Sequence, residues 1–136
     1  MPIEKERKKG SFENLRIFVE ARALANRIYN ITGSQPFSRD FVMVDQMRRS
    51  AVSILSNIAE GFERQSRSEF VRFLFIAKGS CGELRAQLML ALDRKYISKQ
   101  DFEELDGRCR KLGGGMFRLI EYLKKKKSVE AAEEKM

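Results

Sequence analysis

Apolar side chains recur every three or four residues through four long stretches of the chain, and no stretch sustains a period of two. That spacing predicts helices and argues against strands. The first segment covers Phe12 to Thr32, with Phe18, Ala21, Ala25 and Ile28 in step, and stops at Gly33, a residue suited to follow a helix C-terminus. Ser34-Gln35-Pro36 is a link, because proline cannot continue a helix. The second segment runs from Ser38, read as its N-cap with Asp40 in the first turn, to Phe62. The third opens on a capping-box pattern, Ser66-Arg67-Ser68-Glu69. Its seam is Phe70, Leu74, Ala77, Cys81, Leu84, Leu88 and Ala91, an unbroken heptad spacing. The fourth starts near Ser98 and continues through Phe102, Leu105, Cys109, Leu112, Met116, Leu119 and Leu123.

Folding the last two seams about the short Lys95–Ser98 connection sets Leu84 opposite Leu105, Cys81 opposite Cys109 and Leu74 opposite Met116. Such seams favour a shallow crossing of roughly 20° between helices roughly 40 Å long. The expectation is an all-α, antiparallel up-down-up-down four-helix bundle, left-handed, spanning residues 12–125. A charged extension (1–11) and a charged tail (126–136) flank it. The expected core includes Phe18, Ile28, Met47, Ile54, Phe70, Leu74, Leu84, Leu105 and Leu119. Gly113-Gly114-Gly115 would cost roughly 1 kcal/mol each relative to alanine, yet the heptad resumes in phase at Met116. A continuous helix is therefore expected, its missing side chains permitting another helix or subunit to approach; the alternative is a hinge.

The second segment carries two stripes. Met47, Ala51, Ile54 and Ile58 form an apolar seam, and Arg49, Ser53, Asn57, Glu60 and Arg64 form a polar row beside it. Ser50, Ala51, Ser53, Ser56, Ala59 and Gly61 also make this helix thin. A hydrogen-bonded interface between helices or subunits is the favoured reading, with solvated surface as the bland one. A catalytic site based on Glu60 finds no nucleophile, metal set or phosphate-binding glycine loop to complete it.

Composition narrows the chemistry further. At 136 residues the chain makes one domain with its own core. It has no histidine, so the commonest general base and metal ligand is missing, and no metal or cofactor is expected. Cys81 and Cys109 belong to no CxxC pair and read as buried small hydrophobes of a reduced, cytoplasmic protein. The charged start from Met1 to Gly10 shows no secretory segment, and no apolar run suffices to span a bilayer. The expected protein is therefore not an enzyme, has no membrane association and takes no small-molecule substrate.

The charge is concentrated. Residues 64–127 hold 16 Lys/Arg against 8 Asp/Glu, while the rest of the chain holds 11 of each, so the whole formal excess of +8 belongs to the second hairpin. Lys78 and Arg85 repeat at seven residues on the third helix, Lys111, Arg118 and Lys125 on the fourth, and Lys124 to Lys127 form a dense cationic run. Lys78, Arg85, Lys111, Arg118, Lys124 and Lys125 are thus candidates for contacts to the phosphates of RNA or DNA, salt-sensitive and weakly sequence-specific. The bland reading is a solvated face that maintains solubility. Arg85 also lies level with Glu104, where a cross-hairpin ion pair would neutralise part of the stripe. A protein-interaction scaffold, for a reverse transcriptase or a ribosome-associated factor, is the alternative function; it needs an exposed apolar patch.

Several of these motifs together carry a family likeness. Gln46 to Ile54, Asn57-Ile58-Ala59-Glu60-Gly61, Ser68-Glu69-Phe70, Phe73-Leu74, Ala77-Lys78-Gly79-Ser80 and Glu83-Leu84 resemble the bacterial four-helix bundle proteins known as 23S rRNA intervening-sequence proteins, or S23 ribosomal proteins. The likeness extends from about Phe12 to Leu123. It implies an antiparallel bundle assembled as a ring, a homopentamer. It also implies kinship with the accessory variability determinants of diversity-generating retroelements, basic pentamers that bind nucleic acid and a reverse transcriptase. The entry to the second helix, Gln35 to Asp40, departs from the family pattern of Phe-Pro followed by Glu.

Overall fold

The computed structural model describes the backbone of residues 11–135 and the side chains of 11–126; the extension before Ser11 and the side chains of the tail lie outside the described residues. Four α-helices account for the described chain: α1 (Arg16–Thr32), α2 (Phe41–Glu63), α3 (Arg67–Asp93) and α4 (Lys99–Lys135). Short 3-10 turns at Phe12–Asn14 and Phe37–Arg39 precede α1 and α2.

The starts of α2, α3 and α4 follow from side-chain oxygens that meet free backbone N–H groups, whereas α1 has no side-chain cap. Asp40, rather than Ser38, caps α2: one carboxylate oxygen accepts from the Met43 N–H at 3.1 Å. Its other oxygen accepts from the Tyr96 hydroxyl at 2.9 Å, tying the start of α2 to the α3–α4 turn. Ser66 caps α3 by accepting from Glu69 N–H at 3.4 Å, and Ser98 accepts from Asp101 N–H at 3.0 Å. The first helix begins at Arg16 instead of Phe12, because the chain turns extended at Leu15. Gly33 remains right-handed at φ −84°, so α1 ends without the left-handed residue expected there. Among the described residues the left-handed positions are instead Gln65 and Lys95. At the second of these, Tyr96 N–H bonds Ala91 O and Lys95 N–H bonds Leu92 O, a Schellman closure of α3.

Packing places α1 against α2 and α4, and α3 against α2 and α4. Partners recede along one helix as they advance along the other. Ser53 meets Ser80, and Gly61 meets Phe73, across α2 and α3. Cys81 meets Cys109, and Arg85 meets Asp106, across α3 and α4. Glu20 meets Lys111, and Arg27 meets Glu104, across α1 and α4. All three pairs are therefore antiparallel.

The core is one apolar column containing Ile28, Met47, Ile54, Ile58, Leu74, Leu84, Leu88, Leu105, Leu112 and Met116, all buried. Three expected core residues, Phe18, Phe70 and Leu119, are only half-buried against it. Ile17 and Ile120 are buried in the column beside Phe18 and Leu119, while Phe73 is buried against Gly61 outside it. The change at Ile120 is local, since the heptad positions on either side of it, Met116 and Leu123, are both buried. Helix α4 runs without a break through Gly113–Gly115. Of these three, Gly115 is the close approach, since a Cβ there would stand 3.2 Å from Ile17 Cγ2. A Cβ at Gly113 would meet nothing within 4 Å.

Candidate nucleic-acid interface

The inward seam of α4 divides its polar residues between two flanks. Leu105, Cys109 and Leu112 point to the core. Residues one position further, Asp106 and Arg110, turn towards α3, whereas Glu104 and Lys111 turn towards α1. The expected cationic stripe is split accordingly. Lys78 and Arg85 line a pocket between α3 and α4 with Arg110. Lys111 stands on the other flank, its Nζ 3.9 Å from Glu20 Oε1. Arg118 is exposed, with a guanidinium nitrogen 3.4 Å from where a Cβ on Gly114 would sit. Lys124 and Lys125 are exposed near the far end, Lys124 lying over the Phe75 ring at 5.1 Å.

Arg85 does not pair with Glu104. Its Nε donates to Asp106 Oδ1 at 2.8 Å, and Arg110 Nε donates to the other oxygen of the same carboxylate at 3.0 Å. Asp106 is 8% exposed, and it raises the Arg85 pKa above the ordinary arginine value by this hydrogen bond. Glu104 serves Arg27 at 2.7 Å and Arg108 at 3.0 Å. The bond to Arg27 holds its carboxyl below the usual range, with burial opposing and Arg108 adding. Asp106 and Arg110 were not singled out from the sequence; their signal is an Asp–Arg pair at i, i+4 directly beside a seam leucine.

The polar row of α2 separates into a middle and two ends. Ser53 and Ser80 share a hydrogen bond of 2.8 Å across α2 and α3. Asn57 Nδ2 donates to Ser53 O at 2.8 Å and to Ser53 Oγ at 3.0 Å. This half-buried network is an interface between helices. At the ends, Arg49 pairs with Asp45, and Arg64 pairs with Glu60 and Glu69 and covers the Phe73 ring. Arg49 also borders a groove with Tyr29, Asp45, Arg48, Val52 and Ser53.

Both cysteines are buried and free. The Cys81 thiol donates to the Cys109 carbonyl at 3.4 Å. Hydrogen bonding from the Cys109 thiol favours an ionised Cys81, burial opposes it, and Arg85 and Lys78 add to it. The same contact and burial push the Cys109 thiol up. Among the described residues no group of three or more Cys, Asp or Glu could hold a metal ion. No described helix is long and apolar enough to cross a membrane.

These features define an all-α four-helix bundle with a polarised basic hairpin. The model of the 23S rRNA-intervening sequence protein family matches residues 13–117, and the chain belongs to that family. Among solved structures, a protein of unknown function from the S23 ribosomal protein family of Bacteroides thetaiotaomicron is similar, with a TM-score of 0.72 and 27% identity. The match covers 77% of this chain and 95% of that one. No curated protein matches the chain.

Proposed function

We propose that this protein is a non-enzymatic, self-associating cytoplasmic bundle that binds RNA or DNA through backbone phosphates. The observation that carries the reading is the confinement of the formal +8 to the hairpin of α3 and α4. The side chains of Lys78, Lys111, Arg118, Lys124 and Lys125 on it are exposed. A ring of such subunits multiplies the charge, and several weak phosphate contacts on one strand act at high effective concentration. Affinity falls steeply with salt and discriminates little between sequences. The test is fluorescence anisotropy with mixed-sequence RNA and DNA at low and physiological salt. Binding that is lost in Lys111→Glu with Arg118→Glu, while light scattering still reports the wild-type assembly, supports the reading. Absence of binding at low salt overturns it.

A second reading, an adaptor for another protein, is favoured by exposed apolar side chains. Phe41 and Val42 at the start of α2 are 80% and 74% exposed, and Phe75, Ile76 and Phe117 are about half exposed. Large apolar groups left in water this way are expected at contact surfaces. Co-purification of a stoichiometric partner that is lost in Phe41→Ser with Val42→Ser distinguishes this reading from self-association.

A further inference from the structure

We propose that the pocket between α3 and α4 is a seat for one phosphate group, held by Arg85, Arg110 and Lys78, with Asp106 as the positioning residue. The inference rests on the nucleic-acid reading for the source of that phosphate, but its geometry stands independently.

The pocket has a volume of about 380 Å³ and is open to solvent, within the range of small-ligand sites. Asp106 receives both arginines through Nε, one on each carboxylate oxygen. That leaves the Nη groups of both guanidiniums without a protein partner among the described residues. Two guanidiniums hydrogen-bonded through Nε to one buried acid form an anion receptor: Arg85, the more enclosed of the two at 32% side-chain exposure, is the better restrained, and Arg110 at 67% extends into solvent. Lys78, on the α3 wall, makes no ion pair among the described residues and adds a third cation. The site therefore holds three positive groups against one carboxylate.

The backbone makes room for the ligand. Gly82, Gly113 and Gly114 line the pocket. A Cβ on Gly82 or Gly113 would meet nothing within 4 Å, so packing within the bundle does not require glycine at either position. Glycine in a helix interior costs about 1 kcal/mol relative to alanine; Gly79 and Gly107 are equally open outside the pocket, but at Gly82 and Gly113 a side chain would enter the space that these residues line. Phe117, half exposed at the rim, offers an apolar face to a ribose or base attached to the phosphate.

The experiment is an NMR titration of the full-length protein, following the arginine Nε–H signals, with pyrophosphate at constant ionic strength. A parallel anisotropy titration uses a short RNA. Arg85 and Arg110 signals should shift saturably with pyrophosphate, and Arg110→Gln should weaken it about tenfold or more. Asp106→Asn is the decisive variant, because it removes negative charge yet leaves one acceptor oxygen for the two arginines, so that one of them loses its restraint. A diffuse basic surface predicts tighter anion binding in that variant; a positioned receptor predicts weaker binding. Arg110 is exposed and Gly82 faces open space, so Arg110→Gln and Gly82→Val keep the test valid if Asp106→Asn fails to fold.

Loss of both pyrophosphate and RNA affinity in Arg110→Gln and Gly82→Val supports a site for the polynucleotide backbone. Pyrophosphate binding without RNA binding supports the site, assigns it to a free phosphorylated molecule and overturns the nucleic-acid reading. RNA binding that is indifferent to both variants, with no saturable pyrophosphate shift, overturns the site and leaves the nucleic-acid reading standing. Tighter pyrophosphate binding in a folded Asp106→Asn also overturns it.

Discussion

Gly61 on α2 passes so close to Phe73 on α3 that a Cβ at position 61 would lie 2.6 Å from the Phe73 Cβ and 3.1 Å from Phe70 Cδ1. The obstructing Phe73 atom is fixed next to the α3 backbone, so the helices themselves must separate to admit a methyl group. Gly61→Ala is therefore expected to destabilise the bundle by about 1–3 kcal/mol, although alanine is the better helix former. Gly82→Ala, in open space, is expected to stabilise it by up to about 1 kcal/mol. Urea denaturation of the two variants checks the pair; equal and positive shifts would show that α2 and α3 are not in close contact at Gly61.

Much of this architecture was legible because its signals are local or periodic. The apolar seams of α2 and α3 place Met47, Ile54, Leu74 and Leu84 in the core by spacing alone, and the Ser66 cap is legible from four consecutive residues. What the sequence obscured depends on the choice between adjacent positions or on partners far along the chain. Ile120 rather than Leu119 is buried between Met116 and Leu123, a choice between adjacent positions that the heptad spacing does not make, and Asp40 rather than Ser38 caps α2 because Ser38 lies within a 3-10 turn. Level position across the hairpin suggested Glu104 for Arg85. The choice between Glu104 and Asp106 is a choice of flank, about 100° of helix rotation per residue, which the level alone does not encode. The half-buried Ser53–Asn57–Ser80 network was foreshadowed by the polar row, but its partner Ser80 was not.

The Arg27–Glu104 bridge gives a pH dependence of definite sign. Because the folded pKa of Glu104 is depressed by Arg27, with Arg108 assisting, its stabilisation is complete above the ordinary glutamate value of about 4.3. It is lost as pH falls through the lower folded value. The pair is partly exposed, so its contribution is expected to stay below about 1 kcal/mol. Thermal unfolding of wild type and Glu104→Gln should differ at pH 7 and converge towards pH 2. A difference that grows in acid would contradict the bridge.

The thiol pair predicts an order of reactivity. Cys81 ionises first, since the Cys109 thiol hydrogen-bonds to it and Arg85 and Lys78 lie nearby. Iodoacetamide should label Cys81 before Cys109 as pH rises. Cys109→Ala removes the donor and should move the onset of Cys81 labelling to higher pH. Peptide mass spectrometry across a pH series reads both outcomes; preferential labelling of Cys109, or an onset unchanged by Cys109→Ala, would refute the assignment.

Lys78 and Lys111 looked equivalent along the chain, but they differ in what already surrounds them. Glu20 lies 3.9 Å from Lys111 and is also engaged by Arg16 at 3.1 Å, so part of the Lys111 field is already offset. Lys78 has no ion-pair partner among the described residues and stands in the pocket with Arg85 and Arg110. Neutralising Lys78 should therefore remove a fuller phosphate contact than neutralising Lys111. For single-stranded RNA each contact contributes about 0.7 to the slope of log affinity against log salt. Lys78→Gln is expected to flatten that slope by about this amount per engaged subunit and to weaken binding most at low salt, with Lys111→Gln producing a smaller change in both. Both side chains are exposed, so neither substitution should alter the helical circular dichroism spectrum. A larger effect from Lys111→Gln would place the polynucleotide on the α1–α4 flank rather than over the α3–α4 pocket.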